Sequence, residues 1–331
     1  MPADRASHRA AHPVGDPGGD LSHAAYVFPG QGSQKVGMGR ALAEAEPAAA
    51  AVFAEADQIL GAPLSRLCWE GPESDLSDTV NTQPALLVHS VAVLRALEAR
   101  GVASQPAFVA GHSLGEFSAL VAAGSLSFPE ALRLVRERGR VMKEAGQRQP
   151  GGMAAVLGLD VDVVDGACRE AREATGSAVE VANDNCPGQV VISGSEAALA
   201  RATDRLKELG ARRVIRLAVS IAAHSSLMAS AQEAFRHSLA RAEVAEPRLT
   251  VIGNVHAEPL RSVHDIRTDL EAQLTSRVRW TESVRSMARN GVTSFFELGT
   301  GEVLSGLIHR TDPAVQVHAV DTPSSYLPLL E

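Results

Sequence analysis

Four apolar residues, Ala107-Phe108-Val109-Ala110, run directly into Gly111-His112-Ser113-Leu114-Gly115, and a stretch of helical composition, Glu116 to Ala123, follows at once. A buried strand, a tight turn and a helix are expected in that order. This context gives the Gly-x-Ser-x-Gly pentapeptide its meaning, because the short motif alone also occurs as a chance turn. On a sharp strand-to-helix turn Ser113 projects its hydroxyl outward, and the flanking glycines relieve crowding. Backbone N–H groups at the start of the helix face a reacting carbonyl, so the N–H of Leu114 can stabilise an oxyanion.

A serine nucleophile needs a base. The chain has 11 histidines. His8, His12, His237 and His264 lie in the tail or on polar stretches and are expected to be solvated. His112 adjoins Ser113, where the turn should point it away. His224 is the best candidate: it lies in a loop of small residues, Val219-Ser220-Ile221-Ala222-Ala223-His224-Ser225-Ser226. With an ordinary imidazole pKa, such a base predicts activity that falls below about pH 6. Gly30-Gln31-Gly32-Ser33-Gln34 is not a dinucleotide loop, since Lys35 stands at its sixth place, and it lacks the Gly-Lys-Ser/Thr ending of a P-loop. A glycine-rich turn after the first strand instead suits a second oxyanion N–H.

Ordered structure is expected to begin with a strand at Ala24 to Phe28. Helices should cover about Arg40 to Leu60 and Gln83 to Arg100. After the break at Gln147 to Gly152 the pattern reads strand (Met153 to Leu159), helix (Val161 to Thr175), two strands (Val179 to Asn183 and Gln189 to Ser193), helix (Glu196 to Leu209) and strand (Arg213 to Val219). That β-α-β-β-α-β order is the split βαβ of a ferredoxin-like subdomain. Further strands are expected at Val251 to Val255 and Ser294 to Leu298. The expected fold is α/β: a hydrolase-like domain with a mainly parallel sheet, built from residues 24–150 and 220–331, and an inserted ferredoxin-like subdomain over 151–219. Residues 1–23, rich in Pro, Gly, His and Asp and without an apolar secretory segment, read as a disordered tail.

Composition excludes several classes. A net charge of −8 argues against general nucleic-acid binding. No apolar run approaches the ~20 residues of a membrane span. Cys68, Cys168 and Cys186 are odd in number and show no metal spacing, which fits a reducing cytoplasm and small core residues.

Several blocks together resemble the malonyl-CoA:acyl carrier protein transacylase family. They are Phe28-Pro29-Gly30-Gln31-Gly32-Ser33-Gln34, Thr82-Gln83-Pro84-Ala85, Gly111 to Leu120, Pro187 to Gly194, His224-Ser225 and Glu297-Leu298-Gly299, and they run in family order from about Tyr26 to Ile308. The resemblance implies a discrete acyltransferase of fatty-acid or polyketide synthesis. Ser113 would be the nucleophile, His224 its base, and the N–H groups of Gln31 and Leu114 the oxyanion hole. The backbone carbonyl of Gln273 would orient the histidine in place of a carboxylate. Arg138 would grip the free carboxylate of malonyl, for which a planar guanidinium is suited.

Malonyl-CoA would be the substrate, with no bound cofactor, and an acyl carrier protein the partner. The carrier should dock on arginines, with Arg212, Arg213, Arg216, Arg277 and Arg279 as candidates. An editing acyl hydrolase and a catalytically silent scaffold are the alternatives. Two positions depart from the family: Arg277 stands where proline is frequent, and Ala223 replaces the Phe or Ser that commonly precedes the histidine, which leaves the choice among malonyl and 2-alkyl malonyl groups open.

Overall fold

A computed structural model describes residues 21–102 and 105–326. The tail expected over 1–23 therefore lies almost wholly outside the described residues; its last three, Leu21–His23, form a single helical turn leading into the first strand.

Among the described residues, ten strands form two sheets. They are β1 (Ala24–Phe28), β2 (Phe108–Gly111), β3 (Gly152–Leu157), β4 (Val179–Cys186), β5 (Gln189–Gly194), β6 (Arg213–Arg216), β7 (Thr250–Ile252), β8 (Pro259–Leu260), β9 (Ser294–Leu298) and β10 (Gln316–Val320). The larger sheet has the order β10-β9-β1-β2-β7-β8. It is parallel from β10 through β7, and only β8 runs antiparallel. β1 is buried on both faces, as a central parallel strand should be. Tyr26 and Phe28 pack into one core with Phe117, Leu87 and Phe235, while Ala25 and Val27 face Trp280, Phe295 and Ile308 on the other side. The second sheet, β4-β5-β3-β6, is wholly antiparallel. Helices Val161–Thr175 and Glu196–Glu208 cover one face of it and supply Cys168, Leu199 and Leu206 to its core.

Local differences from the sequence reading have physical causes. The stretch Arg40 to Leu60 is two helices, Arg40–Ala45 and Pro47–Leu60, broken where Glu46 takes an extended conformation before proline. The helix expected from Gln83 starts a turn earlier, at Thr79, because the Asp78 carboxylate caps the N–H of Val80. Pro84 then lies inside the helix, and its missing N–H would leave the carbonyl of Val80 bare. Arg136 donates to that oxygen at 2.8 Å. β7 ends at Ile252, three residues short of the expected Val255, so that Asn254 is free to turn toward the site.

β4 of the second sheet is also bonded to the segment just before the helix Trp280–Arg289. Asp184 donates its N–H to the carbonyl of Val278, and Val278 donates to the carbonyl of Ala182. No helix among the described residues is long and apolar enough to cross a membrane, and none of their His, Cys, Asp and Glu side chains groups into a metal site.

Candidate active site

The site gathers at the carboxyl ends of β1, β2 and β7, where open α/β sheets present their loops. Ser113 adopts φ 51°, a left-handed conformation rare for a residue with a side chain. Close packing on both sides enforces it. A Cβ on Gly111 would lie 1.9 Å from the carbonyl carbon of Gly115, and one on Gly115 would lie 2.0 Å from the carbonyl oxygen of Phe28. Only glycine fits at either place. The Ser113 N–H donates to Oδ1 of Asn254 at 2.6 Å, and Nδ2 of Asn254 donates to the carbonyl of Gly111 at 2.7 Å. Asn254 thus pins the turn from outside. In the sequence Asn254 falls inside the expected strand Val251 to Val255; only the early end of β7 at Ile252 frees it for this role.

The Ser113 hydroxyl donates to Nε2 of His224 at 2.8 Å. On the other side of the ring, Nδ1 is 2.8 Å from the carbonyl of Gln273 and 3.1 Å from that of Ser276. Carbonyls only accept, so Nδ1 carries the proton and Nε2 is left as an acceptor. His224 is buried, at φ 59°, and its backbone N–H is anchored on the carbonyl of Leu274 at 3.0 Å. Arginine at 277 does not disturb this loop; its guanidinium reaches Asp165 at 3.1 Å, on the helix Val161–Thr175.

Burial, then the nearby charge of Arg138, lowers the imidazole pKa of His224 to about 3. The expected loss of activity below about pH 6 is therefore corrected: the ring is dry and already neutral well below that pH. His112 points away from the Ser113 hydroxyl, with Nε2 2.8 Å from Oδ1 of Asn185 and its ring edge-on to Trp280.

Arg138 comes from the helix Phe128–Arg148 and is 2% exposed. It donates to Oε1 of Gln83 at 2.8 Å, to Oε1 of Gln273 at 2.9 Å and to the Ser113 hydroxyl at 3.1 Å. All three acceptors are neutral. Burial lowers its pKa to about 10, so it remains a cation at neutral pH, beside the Ser113 hydroxyl. Gln83, in the block Thr82-Gln83-Pro84-Ala85, is a direct partner of this arginine. Gln31 accepts from the hydroxyl of Thr79 at 3.1 Å through its side chain. Among the described residues no acceptor takes the backbone N–H of Gln31 or of Leu114.

The three cysteines are buried, and burial pushes the thiols of Cys68 and Cys168 up to about 12, so none supplies a competing thiolate. A cavity of about 340 Å³ opens beside His224, lined from one side by Arg172 and Glu180 and from the other by His256, Thr275, Arg277 and Arg279.

A strained serine hydrogen-bonded to a neutral, carbonyl-oriented imidazole, with free N–H groups on two neighbouring turns, is the equipment of acyl transfer through a serine ester. The comparisons agree. Residues 25–318 match the family model described as acyl transferase domain, and the chain belongs to that family. It is 44% identical over 305 residues to a malonyl CoA-acyl carrier protein transacylase of Bacillus subtilis, covering 92% of this chain and 95% of that one. It is 42% identical over 311 residues to the protein of the same name from Escherichia coli K12, covering 94% and 100%. A crystal structure of an acyl carrier protein S-malonyltransferase from Vibrio cholerae superposes with a TM-score of 0.88 at 43% identity, over 92% of this chain and 98% of that one. A type II PKS acyl-carrier protein in complex with its malonyl-transacylase matches with a TM-score of 0.90 at 43% identity, over 93% and 99%.

Proposed function

We propose that this acyltransferase moves a malonyl group from coenzyme A to the phosphopantetheine thiol of an acyl carrier protein by a ping-pong route. Ser113 attacks the thioester while His224 takes its proton at Nε2. The tetrahedral oxyanion is held by the N–H groups of Gln31 and Leu114. Collapse expels coenzyme A, which takes the proton back from His224. The carrier thiol then attacks the malonyl-serine ester with the same base, and Ser113 is regenerated. The carbonyl of Gln273 keeps the imidazole in the required tautomer.

The observation that carries the malonyl reading is Arg138: a buried cation beside the nucleophile, ringed by neutral acceptors, matches an acyl group that brings its own carboxylate. It leaves a hydrolase of neutral acyl chains without a use for that charge. The chemistry needs no bound cofactor, and the chain is read as a cytoplasmic enzyme of two units, residues 24–150 with 220–331 and residues 151–219. The direct test is incubation with radiolabelled malonyl-CoA followed by denaturing electrophoresis and then chase with carrier protein. A label that forms and is discharged to the carrier supports the reading; a label released only to water would make the enzyme a hydrolase.

Arg138→Ala is expected to lose malonyl transfer while acetyl transfer holds or rises. A charge-assisted, largely dry hydrogen bond contributes about 1.5–3 kcal/mol, or one to two powers of ten in catalytic efficiency. Acyl-CoA panels scored by intact-carrier mass measure the ratio. Equal losses for both acyl groups would dismiss Arg138 as the carboxylate clamp. Ala223 packs against Met153 and Val191 at the join between the two cores, and Ala223→Phe should sharpen the malonyl preference over 2-alkyl malonyl groups.

Of the five arginines expected to dock the carrier, three are already paired: Arg216 with Glu196, Arg277 with Asp165 and Arg279 with Glu282. Arg212 and Arg213 are exposed, and among the described residues no carboxylate pairs with them. Docking is therefore assigned to the edge strand β6, where Ile215 adds an exposed apolar side chain. Reversing both charges, Arg212→Glu with Arg213→Glu, should raise KM for the carrier several-fold and leave KM for malonyl-CoA unchanged. Equal effects on both substrates would remove the docking role.

A further inference from the structure

Behind the nucleophile lie two carboxyl groups that the mechanism above does not use. Glu116, three residues after Ser113, is fully buried, and Asp269, on the helix Val263–Ala272, is 4% exposed. They are in contact. The oxygens can be accounted for one by one. Oδ2 of Asp269 accepts the N–H of Asn254 at 3.3 Å, and Oδ1 accepts that of Val255 at 3.2 Å. Oε2 of Glu116 accepts from Nε2 of Gln273 at 2.6 Å. Oε1 of Glu116 has no donor among the described residues. Two ionised carboxylates in contact in a dry interior repel strongly, whereas a proton on one of them turns the contact into a hydrogen bond. Asp269 already spends both oxygens on backbone donors, so Oε1 of Glu116 is the atom left to carry that proton.

We propose that Glu116 is a protonated, uncharged positioning residue that donates to Asp269, fixes the Gln273 carboxamide, and leaves the charge of Arg138 uncompensated for the substrate's carboxylate. The inference rests on the acyl-transfer reading of Ser113 and Arg138. Its logic is the orientation of one amide. Nε2 of Gln273 donates to Glu116 and to the carbonyl of Ser113, at 2.6 and 3.0 Å, which turns Oε1 of Gln273 toward Arg138. Asp269, through Asn254, braces the other side of the Ser113 turn. The single negative charge of the pair thus sits on Asp269, against two backbone N–H groups, with His256 also acting on it. Burial and the neighbouring Asp269 raise the carboxyl pKa of Glu116 well above its ordinary value, while Gln273 and Arg138 oppose that shift. An ionised Glu116 would instead offset the charge of Arg138 and weaken its hold on the acyl carboxylate.

Glu116→Ala removes the acceptor, frees the Gln273 amide and should lower kcat by roughly 10²-fold, the scale of a misplaced reacting group. Glu116→Gln can still accept from Gln273 and donate to Asp269. It should therefore recover most of that loss and keep the wild-type ratio of malonyl to acetyl efficiency. A rise of about tenfold or more in that ratio for Glu116→Gln would show that Glu116 is the ionised counter-ion of Arg138, and would overturn the proposal. Independently of any substrate, the infrared difference spectrum of wild type minus Glu116→Gln at neutral pH should contain a protonated-carboxyl C=O band. If the variant does not fold, the wild-type spectrum at pH 8, where solvated carboxyls are ionised, decides the matter: no such band refutes the protonated state. A wild type that takes no malonyl label would sink the acyl-transfer reading, while the infrared result would still decide the proton on Glu116.

Discussion

Ser113→Ala is expected to abolish covalent malonyl labelling and transfer to the carrier while leaving the fold intact. Among the described residues no cysteine stands ready to replace it, since the thiols are buried and burial raises their pKa. The hydroxyl makes two hydrogen bonds, to His224 and from Arg138, and both partners keep other contacts when it is removed. The turn itself is held by glycine packing and by Asn254, not by the side chain. Thermal unfolding should therefore change little. Mass spectrometry of the intact protein after exposure to malonyl-CoA gives the readout, and a malonyl adduct on Ser113→Ala would place the ester elsewhere and end the assigned mechanism.

His224→Ala should slow acylation by roughly 10²–10⁴-fold, the range attributed to general acid–base catalysis. The pH profile adds a second constraint. A depressed imidazole pKa means that the neutral, proton-accepting form persists as pH falls, and activity is lost only as pH approaches the folded-state value of about 3. The single-turnover acylation rate of the wild type is thus expected to be flat between pH 5 and 8. An acid limb near the ordinary imidazole value would show that His224 is solvated in the working enzyme. Binding of a malonyl carboxylate to Arg138 removes part of the charge that depresses the ring, so the limb should lie higher with malonyl-CoA than with acetyl-CoA.

Elements with a strong local signature could be read from the sequence. Helix Val161–Thr175 and strand β9 have the expected bounds, because each is a periodic apolar segment closed by clear punctuation, Gly176 in one case and Gly299 in the other. β10 was missed because it is an edge strand in which Val320 is the one buried residue, so the apolar signal is faint. The start of the helix Thr79–Ala99 was missed because Pro84 reads as a boundary until Arg136, far along the chain, is known to satisfy the carbonyl of Val80.

The same distinction holds at the site. Ser113 announced itself through its glycines, and the structure brings Ser113, His224, Arg138 and Gln273 together. Asn254, Glu116 and Asp269 carried no such mark. Their meaning lies in which buried oxygen faces which donor, and that is a property of three-dimensional packing alone.

The parts of the site are far apart along the chain. Gln31, Gln83, Ser113 and Arg138 precede β3, whereas His224 follows β6, and the carbonyls that fix its tautomer, at Gln273 and Ser276, come later still. During synthesis the chain emerges from its N-terminus and folds as it lengthens. A growing chain therefore displays a nucleophile and a cation long before it owns an oriented base. Any product that stops short of Ser276 lacks the carbonyls that orient His224, and lacks β9, the strand that pairs with β1 on one side. The order of the residues along the chain thus makes the oriented imidazole one of the last parts of the site to be completed.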